Sequence, residues 1–284
     1  MNEQLTLFGD EETLTPIRRT GKNRGEIFTD YESFVAKFKN QPKTTDDCYT
    51  PPDVFEAVVK YVGTITDLTD KVILRPFYPG GDYENAEYPE NGIVIDNPPF
   101  SIFTKICRFY SAHNVPYFLF GPGLTITSCC PYCTAVVTDT MIKFSNGAVV
   151  KIGFATNLLG DTLITTSVLL KDLINNCNSQ KISKMWEGTA YNYPPELLSY
   201  SDVESMCRYG NEFSVKRSEA IIVDNLDLHP TRLFGKMFLL SKAKTKAKLE
   251  AKTKAKVKSQ TNKITVPLSP REQKLIDRLS ANEN

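Results

Sequence analysis

The stretch that decides the fold is Gly92-Ile93-Val94-Ile95-Asp96-Asn97-Pro98-Pro99-Phe100. Its short run of β-branched residues predicts a buried parallel strand, because both faces of such a strand meet apolar neighbours. The run stops at two consecutive prolines. Neither has an N–H to donate, so the chain must leave the sheet in a fixed, extended turn. That turn sets the amide of Asn97, the carbonyl of Pro98 and the ring of Phe100 at the carboxyl end of a strand, where ligands bind in open α/β sheets. An exocyclic amine presents two coplanar N–H donors. Asn97 Oδ1 and the Pro98 carbonyl suit them as acceptors, and Phe100 suits the ring that carries the amine.

Downstream, apolar residues at 102, 103, 106, 109 and 110 predict a helix over 101–113. The next strand is expected over 115–120, closing in Gly121-Pro122-Gly123 at the same sheet edge. Asn146-Gly147 between the apolar runs of 141–150 predicts a hairpin. Upstream, Asp46-Asp47-Cys48-Tyr49-Thr50-Pro51-Pro52 precedes a helical pattern at 54, 55, 58, 59 and 62, with Thr50 as the expected N-cap. Between these segments, Lys71-Val72-Ile73-Leu74 reads as a strand that breaks into Arg75-Pro76-Phe77-Tyr78-Pro79-Gly80-Gly81-Asp82, a turn where backbone can approach a ligand closely. Strand–helix–strand units of this kind predict an α/β sheet with a right-handed crossover.

Asn97-Pro98-Pro99-Phe100 resembles the catalytic motif of amino-methyltransferases that use S-adenosylmethionine. Similar tetrapeptides occur in enzymes acting on adenine N6 of DNA, on guanine N2 of RNA and on glutamine of release factors. Tyr49-Thr50-Pro51 before a helix resembles the N-terminal cofactor motif of the DNA adenine-N6 group, and Phe77, Gly80 and Gly81 match its aromatic and glycine-rich turn. The order of the three segments is similar to that of the EcoRI-type methylase and phage orphan methylases. The resemblance implies a Rossmann-like methyltransferase sheet, S-adenosyl-L-methionine as cofactor and DNA as substrate. It also implies that Asn97, Pro98, Pro99 and Phe100 hold the target amine and base. Tyr49, Thr50, Pro51, Phe77, Gly80, Gly81 and Asp82 are then the cofactor contacts. Typical members place two further strand–helix units between the glycine turn and the Pro-Pro motif, carrying the acids for the cofactor's ribose and adenine. Here the interval 83–95 is too short for a helical crossover, so the cofactor half is expected to be shortened, with Asp82 or Glu84 as candidates for the ribose hydroxyls. The alternatives are a non-catalytic, methyltransferase-like DNA-binding protein and an RNA or protein amino-methyltransferase.

The chain has 284 residues, 41% hydrophobic and 11% aromatic, as a globular core needs. It contains no run of eighteen apolar residues, and its first ten residues have no basic and apolar leader pattern, so a cytoplasmic protein without membrane contact is expected. Seven cysteines without regular spacing point to reduced thiols. Cys130-Pro131-Tyr132-Cys133, with Cys129 beside it, is the one metal-like cluster. The remaining cysteines are scattered and only His113 and His229 are present, so no four-ligand zinc site and no metal is expected.

The net charge of +1 is unevenly spread. Residues 241–258 hold eight lysines and one glutamate, a net +7, which leaves −6 for the remainder. Lys242, Lys244, Lys246, Lys248, Lys252, Lys254, Lys256 and Lys258 are the expected phosphate contacts. Lysine on alternate positions surrounds a helical cylinder and leaves no apolar stripe, so a solvated helix or linker is expected. Beyond it, Ser269 and Glu272 have capping-box spacing ahead of a short helix with Leu275, Ile276 and Leu279 on one stripe. Between 184 and 240, Trp186, Tyr191, Tyr193, Tyr200, Arg208, Tyr209, Lys216 and Arg217 mix rings with cations, a composition that suits either base and phosphate contact or packing. Residues 213–215 and 220–223 read as a strand pair. The expected organisation is an N-terminal extension (1–45), a methyltransferase-like core (46–180), a target-recognition or packing extension (181–240), and a lysine-rich arm with a short helix (241–284). No obligate protein partner is indicated.

Overall fold

The computed structural model describes residues 50–77, 82–144, 147–177, 190–228, 235–254 and 263–281. Its centre is a seven-stranded mixed sheet formed by β1 (Val72–Leu74), β2 (Gly92–Asp96), β3 (Tyr117–Pro122), β4 (Thr134–Lys143), β5 (Val149–Thr156), β6 (Thr162–Thr166) and β9 (Ser214–Lys216). The spatial order is β1-β2-β3-β5-β4-β6-β9. Strands β1, β2 and β3 are mutually parallel, β5 runs antiparallel to both β3 and β4, β4 is parallel to β6, and β9 is antiparallel to β6.

The apolar runs earn central places because both of their faces are covered. Ile93 and Ile95 of β2, with Phe118 and Phe120 of β3, face one core that also holds Val54, Val58, Tyr61 and Val62 of α1 (Pro52–Ile65) and Leu170 and Ile174 of α3 (Val168–Cys177). Val94, Tyr117 and Leu119 alternate to the opposite core, under Phe103, Ile106 and Tyr110 of α2 (Phe103–Ala112) and Val203 and Met206 of α4 (Tyr200–Arg208). A strand's two-residue period makes this division. The result is a three-layer α/β fold. At Gly121 a Cβ would lie 2.4 Å from Phe103 Cζ, so only glycine lets α2 pack this close to β3.

The hairpin predicted around Asn146-Gly147 joins β4 to β5. Gly147 has φ 78°, and Phe144 N–H donates to Ala148 O at 2.8 Å. Two expectations need correction. Residues 213–215 and 220–223 do not pair with each other, because a 3-10 turn at Arg217–Glu219 sends them to different sheets. Strand β9 completes the central sheet, whereas β10 (Ala220–Val223) joins β11 (Met237–Leu240) and β8 (Leu197–Leu198) in a smaller one. A third, two-stranded sheet pairs β7 (Ala190–Asn192) with β12 (Lys263–Thr265).

The second correction concerns the lysine-rich segment. Residues Lys242–Lys254 form helix α5, and this helix is docked rather than solvated. Lys248 is only 2% exposed. Its ammonium donates to Pro195 O at 3.0 Å and to Leu197 O at 2.5 Å, and it pairs with Asp202 at 3.2 Å. Lys252 also pairs with Asp202, Lys244 with Glu219 at 3.1 Å, and Lys242 with Asp277 of α6 (Pro270–Ala281) at 2.8 Å. The lysines of α5 thus neutralise acids of the body, which substitutes for an apolar stripe. Lys246 is exposed, whereas the Lys254 side chain, Lys256 and Lys258 lie outside the described residues. The expected capping box at Ser269 and Glu272 forms with both of its hydrogen bonds, and Ile276 of α6 is fully buried in a third core. Among the described residues no helix is long and apolar enough to cross a membrane.

Asp202 also completes the capping box of α4 with Ser199. Burial pushes its carboxyl up, but Lys248 and Lys252 outweigh that and hold it below the usual aspartate range. Its contribution is therefore fully present above about pH 3.9 and is lost as pH falls through its depressed value. Lys248→Ala is expected to cost roughly 3 kcal/mol in urea denaturation, the low end for breaking a buried pair because Lys252 stays on Asp202. Lys246→Ala should change stability by less than about 0.5 kcal/mol.

Candidate functional site

The three segments singled out in the sequence meet at the carboxyl edge of β1 and β2, and a single buried carboxylate organises them. Asp96 ends β2 and is 2% exposed. It accepts hydrogen bonds from Phe77 N at 2.8 Å, from Asn97 N at 2.9 Å and from Arg75 Nε at 3.3 Å. The Arg75 guanidinium in turn lies 4.2 Å from the centre of the Phe55 ring on α1. The relay Phe55–Arg75–Asp96 thus fixes the start of α1, the exit of β1 and the Asn-Pro-Pro-Phe turn against one another. Neither Arg75 nor Asp96 is among the residues expected from sequence. The signal was present, since a charge on the last residue of a fully apolar strand has to find partners.

Asn97, Pro99 and Phe100 are half-buried and Pro98 is buried. Asn97 Oδ1 is a buried oxygen. Pro99 (φ −57°, ψ 123°) leads into a 3-10 turn, Phe100–Ile102, that feeds α2, and the Phe100 and Phe103 rings meet edge-to-face at 6.4 Å. Thr50 differs from expectation. The N-cap of α1 is Pro51, without a side-chain cap, because Pro51 and Pro52 move the helix start one residue on. Thr50 is instead 2% exposed, and its hydroxyl has no hydrogen-bond partner among the described residues. A buried hydroxyl left this way costs about 1–3 kcal/mol, and such groups recur where a ligand completes them.

The remaining cofactor positions divide. Phe77 packs its ring against Tyr83 at 5.4 Å and Tyr110 at 6.3 Å, so its side chain belongs to the core while its N–H holds Asp96. Asp82 is exposed and accepts from Glu84 N and Asn85 Nδ2, which closes its own turn. Glu84 takes Lys105 at 2.6 Å and Tyr83 Oη at 3.0 Å. Tyr49, Gly80 and Gly81 lie outside the described residues. Residues 75–77 and 82–91 contain no helix or strand, and no strand among the described residues pairs with the outer side of β1. The short connection therefore joins two directly paired parallel strands.

The aromatic–cation residues of the extension are largely used internally. Arg208 grips Asp139 with two hydrogen bonds of 2.8 and 2.9 Å, Tyr200 Oη bonds Glu204 at 3.1 Å, and Arg217 donates to Cys130 O and Cys133 O. Asp139 sits at a bulge of β4 with φ 49°, held there by Arg208 and by Lys151 at 3.7 Å. Tyr209 and Lys216 are exposed, and Trp186 lies outside the described residues. Comparisons with protein-family models, with curated proteins and with solved structures return no match, so function has to be argued from the side chains themselves.

Burial pushes the Asp96 carboxyl above the usual range, outweighing Arg75 and its two N–H donors. A raised carboxyl stabilises the fold below its ordinary value and loses that contribution as pH rises through the shifted one. Asp96 therefore opposes the acid sensitivity that Asp202 confers. In Asp96→Asn the loss of stability on acidification, followed by chemical denaturation from pH 6 to pH 3, should steepen. Asp96→Ala should cost about 1–3 kcal/mol, because the N–H groups of Phe77 and Asn97 lose their acceptor.

Proposed function

We propose that this chain transfers a methyl group from S-adenosyl-L-methionine to the N6 amine of adenine in DNA, on a Rossmann-like sheet whose cofactor half is shortened. The observation that carries the reading is the Phe55–Arg75–Asp96 relay. It brings an Asn-Pro-Pro-Phe turn and the Thr50-Pro51 helix start to the carboxyl edge of adjacent parallel strands, the place where open α/β sheets bind ligands.

The residues present suit the methionine end of the cofactor. The Thr50 hydroxyl is buried and lacks a partner among the described residues, so it is placed to take a polar atom of that end. When bound, the cofactor supplies an electrophilic methyl carried on a sulfonium. Adenine has to leave the duplex before its amine can reach a protein pocket. Asn97 Oδ1 and the Pro98 carbonyl then accept the two amine N–H bonds, which orients the nitrogen and makes its lone pair more available. Phe100 stacks on the base and holds it within in-line reach. No general base is required, since the amine can lose its proton once the methyl has arrived.

A second reading, a methyltransferase-like DNA-binding protein without catalysis, is favoured by a different observation. Asp82 and Glu84, the acids expected at the cofactor's ribose, engage their own turn and Lys105 instead. Calorimetric titration with S-adenosylmethionine, with DNA absent and present, separates the two. Micromolar binding supports the enzyme, and absence of binding by folded protein supports the second reading.

Asn97→Ala should lower methyl transfer to duplex DNA by about 10²-fold or more through lost positioning, with cofactor affinity nearly unchanged; equal loss of both would remove Asn97 from the amine-binding role. Thr50→Val removes a costly buried hydroxyl, so it should stabilise the free protein by about 1 kcal/mol while weakening cofactor binding about fivefold. Four of the eight lysines are paired with body acids. The slope of log affinity for DNA against log salt should therefore be no steeper than about −4, where eight contacts would give about −7.

A further inference from the structure

We propose that Cys107, Cys129 and Cys133 form a three-thiolate site for a thiophilic d10 cation, independent of the carboxyl-edge site. Their sulfurs lie within 4.8 Å of one another, and all three residues are buried. The sequence points to Cys130 and Cys133 as the pair, but the fold divides them. The Cys130 thiol turns away to donate to Leu163 O, and Cys107 of α2 takes its place beside the other two. Cys129 and Cys133 are locked into one chelating turn. Tyr132 N and Cys133 N both donate to Cys129 O, at 2.9 and 3.1 Å, so side chains four residues apart share one face. Zinc–sulfur bonds of about 2.3 Å set sulfurs about 3.8 Å apart in a tetrahedron, so the cage has to close by no more than about 1 Å.

The surroundings suit the charge that binding creates. Each thiol releases its proton to solvent as a sulfur–metal bond forms, and no electrons move. Three thiolates leave a net −1 around a divalent ion and −2 around a monovalent one. Arg217 sets its guanidinium against this cage, donating to Cys130 O at 2.8 Å and to Cys133 O at 2.9 Å. Soft thiolate ligands select Cu(I) and zinc over hard cations. Cu(I) accepts three sulfurs alone. Zinc takes a fourth donor, for which the Tyr117 hydroxyl, hydrogen-bonded to Cys107 O at 3.4 Å, is the group at hand. With Cys107 on α2 and Cys129 and Cys133 ahead of β4, a bound ion clasps the α2 layer to the sheet.

The test uses the full chain, reduced and stripped of metal. It is incubated with Zn2+ or, anaerobically, with Cu+, and the metal retained after gel filtration is counted. One ion retained per chain is expected, falling at least tenfold in Cys107→Ser and in Cys133→Ser and unchanged in Cys130→Ser. Retention of Cu+ alone supports a trigonal site, and retention of Zn2+ that is lost in Tyr117→Phe supports a four-coordinate one. Failure of the wild type to retain either ion overturns the proposal, and so does retention that survives the Cys107 and Cys133 substitutions. If the serine variants do not fold, alkylation of the wild type is mapped with and without metal under mild denaturant. Metal-dependent protection confined to these three positions supports the site, and equal labelling overturns it.

Discussion

A carboxylate buried at the end of β2 holds this sheet edge together. Parallel strands are normally joined by a helix that packs on the sheet and fixes their separation. The connection from β1 to β2 contains no helix among its described residues, and β1 is only three residues long. Asp96 supplies the missing restraint, taking the backbone N–H of Phe77 and the side chain of Arg75 from the exit of β1. The cost of burying it is visible in its raised pKa. That cost is offset because one group orients two strand ends, a helix start and the Pro-Pro turn together. An apolar residue at 96 would pack as well in the strand and leave the three segments unrelated.

The same economy of charge explains the lysine-rich helix. A body carrying −6 and a segment carrying +7 attract within one chain before either meets a polyanion. Lys248 is deeply buried, which is tolerable only because Asp202 and two carbonyls surround its ammonium. Asp202 already caps α4, so the docked helix and the cap stabilise each other through one carboxylate. Lys246, by contrast, is exposed. A cluster of like charges in sequence is therefore a poor measure of charge available at the surface.

Local signals in the sequence were read well where local physics decides. The apolar run 92–96, the helix after the prolines, the Asn-Gly hairpin and the Ser269–Glu272 capping box each depend on neighbours within a few residues. The misreadings involve partners far along the chain. Residues 213–215 and 220–223 looked like a pair because they are adjacent, but a three-residue 3-10 turn separates their sheets. The docking of α5 required Asp202, Glu219 and Asp277, which no helical periodicity reveals. Cys107 joins Cys129 and Cys133 only because α2 packs beside the turn ahead of β4. Thr50 failed as a cap for a local reason that was legible, since two prolines after it shift the first helical residue.

The short connection between β1 and β2 bears most directly on the character of this edge. The connection is a loop built on aromatic contacts. Tyr88 Oη donates to Tyr83 O at 2.6 Å and meets Tyr110 Oη at 3.1 Å, while Tyr83 packs on Phe77 and Phe109. Those rings anchor the loop to α2, so among the described residues the edge is covered by side-chain packing rather than by further strands. The short, half-exposed β1 then presents little edge for another chain to pair with. The edge thus combines the buried oxygens of Thr50 and Asn97 with a tyrosine-supported loop. Of that loop's acids, Asp82 and Glu84 already serve the turn that shapes it, which leaves the exposed Glu87 and Glu90 as the charges it turns to solvent.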